Sequence, residues 1–81
     1  MIKAKITVTL KNGVLDPQGK AIEGSLAALG FSGVDSVRQG KIFDVDLREK
    51  SKPAAMKKLN AMCEQLLANQ VIEDFVVEIV G

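Results

Sequence analysis

Eighty-one residues, 47% hydrophobic and 26% charged, have the composition of one small folded domain, which excludes a disordered chain. A formal net charge of +1 is too balanced to mark nucleic acid or an anionic membrane as partner. One cysteine, Cys63, and no histidine exclude a disulfide framework and a Cys/His zinc site within the chain.

The first element is a strand. Ile2, Ala4, Ile6, Val8 and Leu10 alternate with Lys3, Lys5, Thr7, Thr9 and Lys11, a period of two that fits a half-buried sheet element. The same alternation denies the N-terminus the continuous apolar core of a signal peptide, and no stretch approaches the roughly 20 apolar residues of a membrane span. With a free thiol, these features predict a cytoplasmic protein. Asn12-Gly13 breaks the strand. Asp16 then caps a helix whose first position is Pro17, and Ile22, Leu26 and Leu29 recur at helical spacing until Gly30 offers a left-handed stop. Gly19 and Gly24 lower the propensity of this helix, so packing has to hold it.

A second strand is predicted over Val34 to Arg38, with a turn near Gln39-Gly40-Lys41. A third follows, with Phe43, Val45 and Leu47 on one face and Asp44, Asp46 and Arg48 on the other. Ser51 and Pro53 open a second helix with an apolar stripe of Met56, Leu59, Met62, Cys63, Leu66 and Leu67, ending at Asn69. Phe75, Val77 and Ile79 form the inner face of a last strand. The order strand, helix, strand, strand, helix, strand predicts an α+β ferredoxin-like sandwich: a four-stranded antiparallel sheet with both helices on one face, residues 1–81 making a single domain. The other face would expose Lys3, Lys5, Thr7, Thr9, Ile42, Asp44, Asp46, Val76, Glu78 and Val80. A bare face on a chain whose core supplies only about 3–5 kcal/mol favours self-association.

Few residues suggest chemistry. Cys63 lies on the apolar stripe with no histidine to activate it, so it reads as a small core hydrophobe. Asp44/Asp46 and Glu73/Asp74 lack the companions of a metal site and read as solvated charges. The turn from Asn12 to Gly19 resembles a phosphate cradle, but Asp16 puts negative charge where a phosphate would sit, and no Walker or dinucleotide pattern is present. Arg38 suits a carboxylate across an interface. Lys50, Lys52, Lys57 and Lys58 read as a solvated helix face. Base stacking on sheet aromatics is excluded by a set of three Phe with no Tyr or Trp. An acylphosphatase-like loop is excluded because the loop after the first strand has no arginine.

Three stretches together resemble the PurS family, the small subunit of phosphoribosylformylglycinamidine synthase. They are Val14-Leu15-Asp16-Pro17-Gln18-Gly19, then Val37-Arg38-Gln39-Gly40-Lys41, then Cys63-Glu64 with Leu66-Leu67-Ala68-Asn69 and Val71-Ile72-Glu73-Asp74-Phe75. Gln39 departs from the aliphatic residue common at its position. The resemblance implies a non-catalytic subunit in purine biosynthesis. It would act as a homodimer joining a glutaminase subunit to a large synthetase subunit and helping ammonia pass between them. It implies no catalytic residue, metal or cofactor in this chain, with ATP and Mg held by the synthetase. The partner-contact candidates are Asp16, Pro17, Gln18 and Gly19 at the helix start, Arg38, Gly40 and Lys41 at the turn, and Asn69, Ile72, Glu73 and Phe75 near the last strand. An ACT-like amino-acid-binding regulatory domain, with the same element order and a glycine-bearing turn after its first strand, is the alternative at this point. A dimerisation module of another complex is a third reading.

Overall fold

A computed structural model describes all 81 residues, Met1–Gly81. The elements are β1 (Ile2–Leu10), α1 (Pro17–Ala28), β2 (Gly40–Leu47), α2 (Lys52–Met62) continued by a π-helical turn over Cys63–Leu67, and β3 (Glu73–Ile79). No helix is long and apolar enough to cross a membrane.

The alternation read in β1 is its burial pattern: Ile2, Ala4, Ile6 and Val8 are buried, and the residues between them face the other way. β1 is central, with β2 and β3 antiparallel on either side in the order β2-β1-β3. Ala55, Leu59 and Cys63 of α2 pack on that inner row, with Phe43, Val45, Leu47, Phe75, Val77 and Ile79 half-buried around it. The outer face is bare, as the alternation predicts. On it Lys5 stands between Asp44 and Glu78, Lys3 opposite Asp46, and Thr7 between Ile42 and Val76. Beyond β3 the ladder continues, since the Val80 amide donates to the Lys3 carbonyl and the Lys3 amide to that of Gly81. The two chain ends therefore lie side by side.

The α+β class holds, but the four-stranded sheet does not: the sheet has three strands. Residues 34–38, expected as a strand, belong to no helix or strand and pair with none. Two causes are visible. Gly30 and Gly33, at φ +95° and +83°, put two left-handed bends in the link after α1. Carboxylates of α1 and its cap then take amides that a neighbouring strand would have bonded. Glu23 Oε2 accepts from the Val37 amide at 2.9 Å and Asp16 Oδ2 from the Gln39 amide at 2.7 Å.

The second helix on the inner face is also absent, because α1 does not pack broadly on any strand. Its one buried residue is Gly19, and Leu29 and Phe31 just beyond it are 74% and 59% exposed. The molecule is accordingly long, 50 × 26 × 15 Å, with a radius of gyration of 16.1 Å. A compact chain of this length would have about 12 Å.

The stripe of α2 is correct as far as Cys63 and fails at Leu66, which is 83% exposed. The π-turn is the reason. Its bond from the Ala68 amide to the Cys63 carbonyl spans five residues, and the wider turn rotates Leu66 outward. Asn69 opens a turn instead of capping the helix: its side-chain oxygen accepts from the Val71 amide and its carbonyl from Ile72 and Glu73.

Candidate functional site

All three motif stretches meet at one end of the sheet, where β1 finishes and α1, β2 and β3 begin. Asp16 is the hub. As N-cap of α1 its Oδ1 accepts from the Gly19 amide at 2.9 Å, while Oδ2 holds Gln39. The amide of Gln39, then that of Gly19 and, more weakly, the Arg38 charge hold the Asp16 carboxyl below the usual carboxylate range, against a small loss of solvation.

Gly19 is required by proximity, because a Cβ there would overlap the Val37 carbonyl oxygen and come within 2.8 Å of Asp16 Oδ2. Gly40 is similar: a Cβ would stand 2.6 Å from the Val8 carbonyl oxygen. Arg38 Nη2 donates to the Leu10 and Lys11 carbonyls at 2.8 and 3.0 Å, which ties residues 34–39 to the end of β1. Glu73 accepts from the Asn69 amide through Oε1 and lies 3.8 Å from Lys41 Nζ through Oε2, joining the third stretch to the second.

Around this network lies an open cleft of about 390 Å³ lined by Val8, Leu10, Asp16, Pro17, Gln18, Gln39, Gly40, Lys41 and Glu73. The sequence-selected residues thus divide. Asp16, Gly19, Arg38 and Gly40 are committed to the fold. Pro17, Gln18 and Lys41 are exposed on the cleft, with Gln39 beside them. Asn69 and Ile72 shape the turn before β3, where the Ile72 carbonyl accepts from Lys11. Phe75 is half-buried opposite Val8 and packs against the core.

Sequence reading missed Glu23, although Asp16, Gly19 and Glu23 fall on one helical face by their spacing. It also missed the Lys11–Asp74 pair at 2.6 Å, whose members are 63 residues apart and leave no sequence signal.

The arrangement is suited to contact, and nothing in it resembles an acid–base or nucleophilic pair. Burial, with Glu64 adding to it, pushes the Cys63 thiol up, the direction opposite to activation. No three acidic or thiol side chains cluster as metal ligands would.

Comparison with known proteins gives a consistent picture. The PurS family model, described as phosphoribosylformylglycinamidine (FGAM) synthase, matches residues 3–81. Phosphoribosylformylglycinamidine synthase subunit PurS from Synechocystis sp. is 45% identical over 75 residues, covering 93% of this chain and 75% of that one. The crystal structure of Bacillus subtilis PurS has a TM-score of 0.89 at 42% identity and covers both chains completely. A chain in the structure of PurLQS from Thermotoga maritima has a TM-score of 0.88 at 31% identity, over 98% of this chain and 96% of that one.

Proposed function

This chain belongs to the PurS family of phosphoribosylformylglycinamidine synthase, and from that membership we propose that it is the non-catalytic small subunit of that glutamine-dependent ligase in purine biosynthesis. The observation that carries the reading is the near-complete likeness to a subunit found within the PurLQS assembly. The ACT-like alternative is set aside, since the relatives are synthase subunits.

In this role the chain bridges the glutaminase and the large synthetase and supports ammonia transfer between them. It works in the cytoplasm as a homodimer, and ATP and Mg belong to the synthetase. The dimer is supported by the shape. Only 9 of 81 residues are buried, and α1 leaves Leu15, Leu29 and Phe31 exposed on an arm that a second copy would shelter. Pro17, Gln18 and Lys41 are the residues of the cleft free to meet a catalytic subunit.

Glutamine-dependent synthase activity of the glutaminase and synthetase subunits, measured with and without this chain, tests the role. Light scattering on the same mixture follows assembly. Activity and a three-component particle should both require it, and activity unchanged by its omission would overturn the proposal.

A further inference from the structure

Charge is distributed unevenly along this chain. Residues 48–58 hold five of its 11 Lys and Arg and one of its 10 Asp and Glu, a balance of +4, which leaves −3 for the rest of a chain of net charge +1. The fold gathers the excess in one place. Ile2 pairs with Leu47 at the end of β1 opposite the motif cleft, and the chain runs on from β2 through Arg48 and Lys50 into α2 at Lys52. All three cations are exposed, and Met1, Arg48, Glu49 and Lys50 line an open hollow of about 450 Å³. None of the three is neutralised by an ion pair. Glu49, the one carboxylate of the segment, accepts from the Lys50 amide at 3.1 Å and is paired with Lys58 at 2.9 Å. Asp46, two residues before Arg48, stands opposite Lys3. Towards the cleft the opposite holds, with Lys11, Lys20 and Lys41 each facing a carboxylate.

The fold gains nothing from this arrangement. A helix start carries partial positive charge and is stabilised by acidic residues, yet the first turn of α2 has none and begins with Lys52. Like charges kept together against their local cost mark a site of association. Resting on the subunit role above, we infer that this basic pole docks on an acidic protein surface of one of the two catalytic subunits. A subunit that joins two others needs two separate faces, and the pole lies at the other end of β1 from the cleft, where Pro17, Gln18 and Lys41 are exposed. An acidic patch of protein suits the pole better than an extended polyanion. Asp44, Asp46 and Glu78 on the adjoining outer face of the sheet would repel nucleic acid or a charged membrane laid along the molecule. Exposed interface charges of this kind act chiefly on the rate of encounter and on its salt dependence.

The whole chain carrying Arg48→Gln, Lys50→Gln and Lys52→Gln together tests this, with Lys58 kept because it holds Glu49. Its association rate with the mixed glutaminase and synthetase subunits should fall about tenfold or more at low ionic strength. The decline with added salt shown by the unsubstituted chain should flatten in the variant. Equal rates with equal salt dependence would overturn the docking pole while leaving the subunit role. A variant that assembles normally but no longer binds phosphatidylserine vesicles or duplex DNA would overturn it in favour of those polyanions. An unsubstituted chain that neither subunit binds would remove the role and the inference together. Lysine acetylation of the unsubstituted chain covers the case in which the triple variant does not fold. Lys50 and Lys52 should react several times more slowly in the assembled particle than in the free chain, and unchanged rates would overturn the docking.

Discussion

Gly19 and Gly24 are five residues apart in one helix and should respond oppositely to the same change. A methyl at Gly19 meets a backbone carbonyl that is fixed by the clasp of α1 on residues 37–39, so Gly19→Ala should cost about 1–3 kcal/mol, as forced overpacking does. At Gly24 a methyl meets nothing within 4 Å, and Gly24→Ala should gain about 0.5–1 kcal/mol by restricting the unfolded chain. Urea midpoints of the two variants check both signs, and equal shifts would refute the clasp. The cap role of Asp16 was legible in the sequence because a cap is local, a matter of four adjacent residues. Its second bond, to Gln39, was not legible, nor was the pairing of Glu23 with Val37. These join residues 23 and 14 apart, at spacings that follow no secondary-structure period. Arg38 was named a contact candidate because its rigid fork suits a carboxylate across an interface. Its bonds to two carbonyls left over where β1 stops carried no sequence signal.

Among the elements, the strands with a regular period were read correctly. β1 alternates through nine residues without a fault, and its buried row is the one the pattern selects. The α2 stripe holds until the π-turn adds a residue that no hydrophobic count could anticipate. A contrast within this helix tests the shift. Leu59 is fully buried, so Leu59→Ala should cost about 2–5 kcal/mol, while Leu66→Ala in the exposed turn should change the unfolding midpoint by less than about 0.5 kcal/mol. A large loss at Leu66 would mean that the helix continues in α register. The error over residues 34–38 has a different origin. The segment has strand composition, but propensity does not choose a partner. The carboxylates of Glu23 in α1 and of its cap Asp16 took the amides, and two glycines at positive φ interrupt the link before the segment.

For the molecule as a whole, the element order was legible and the shape was not, because composition reports the amount of apolar surface and not where it is buried. Acid stability is a property at this scale. Asp16 is lowered first by the Gln39 amide. Glu49 is lowered first by its hydrogen bond to Lys58, then by the Lys50 amide. Both bind protons more weakly folded than unfolded, so the stability they supply is present above about pH 4, near the unfolded values, and is lost as pH falls through the folded ones. The urea midpoint should therefore fall between pH 5 and pH 3, and less steeply in Asp16→Asn. An identical slope in that variant would show that the carboxylate is not coupled to folding. The bonds between Lys3 and residues 80–81 have a topological consequence. They bring the ends of residues 1–81 together at the far end of the sheet from the motif cleft, about 30 Å away along the nine residues of β1. The fold is thus nearly a closed ring. A few added residues would circularise it, and a tag or fused domain at either end would leave the cleft clear.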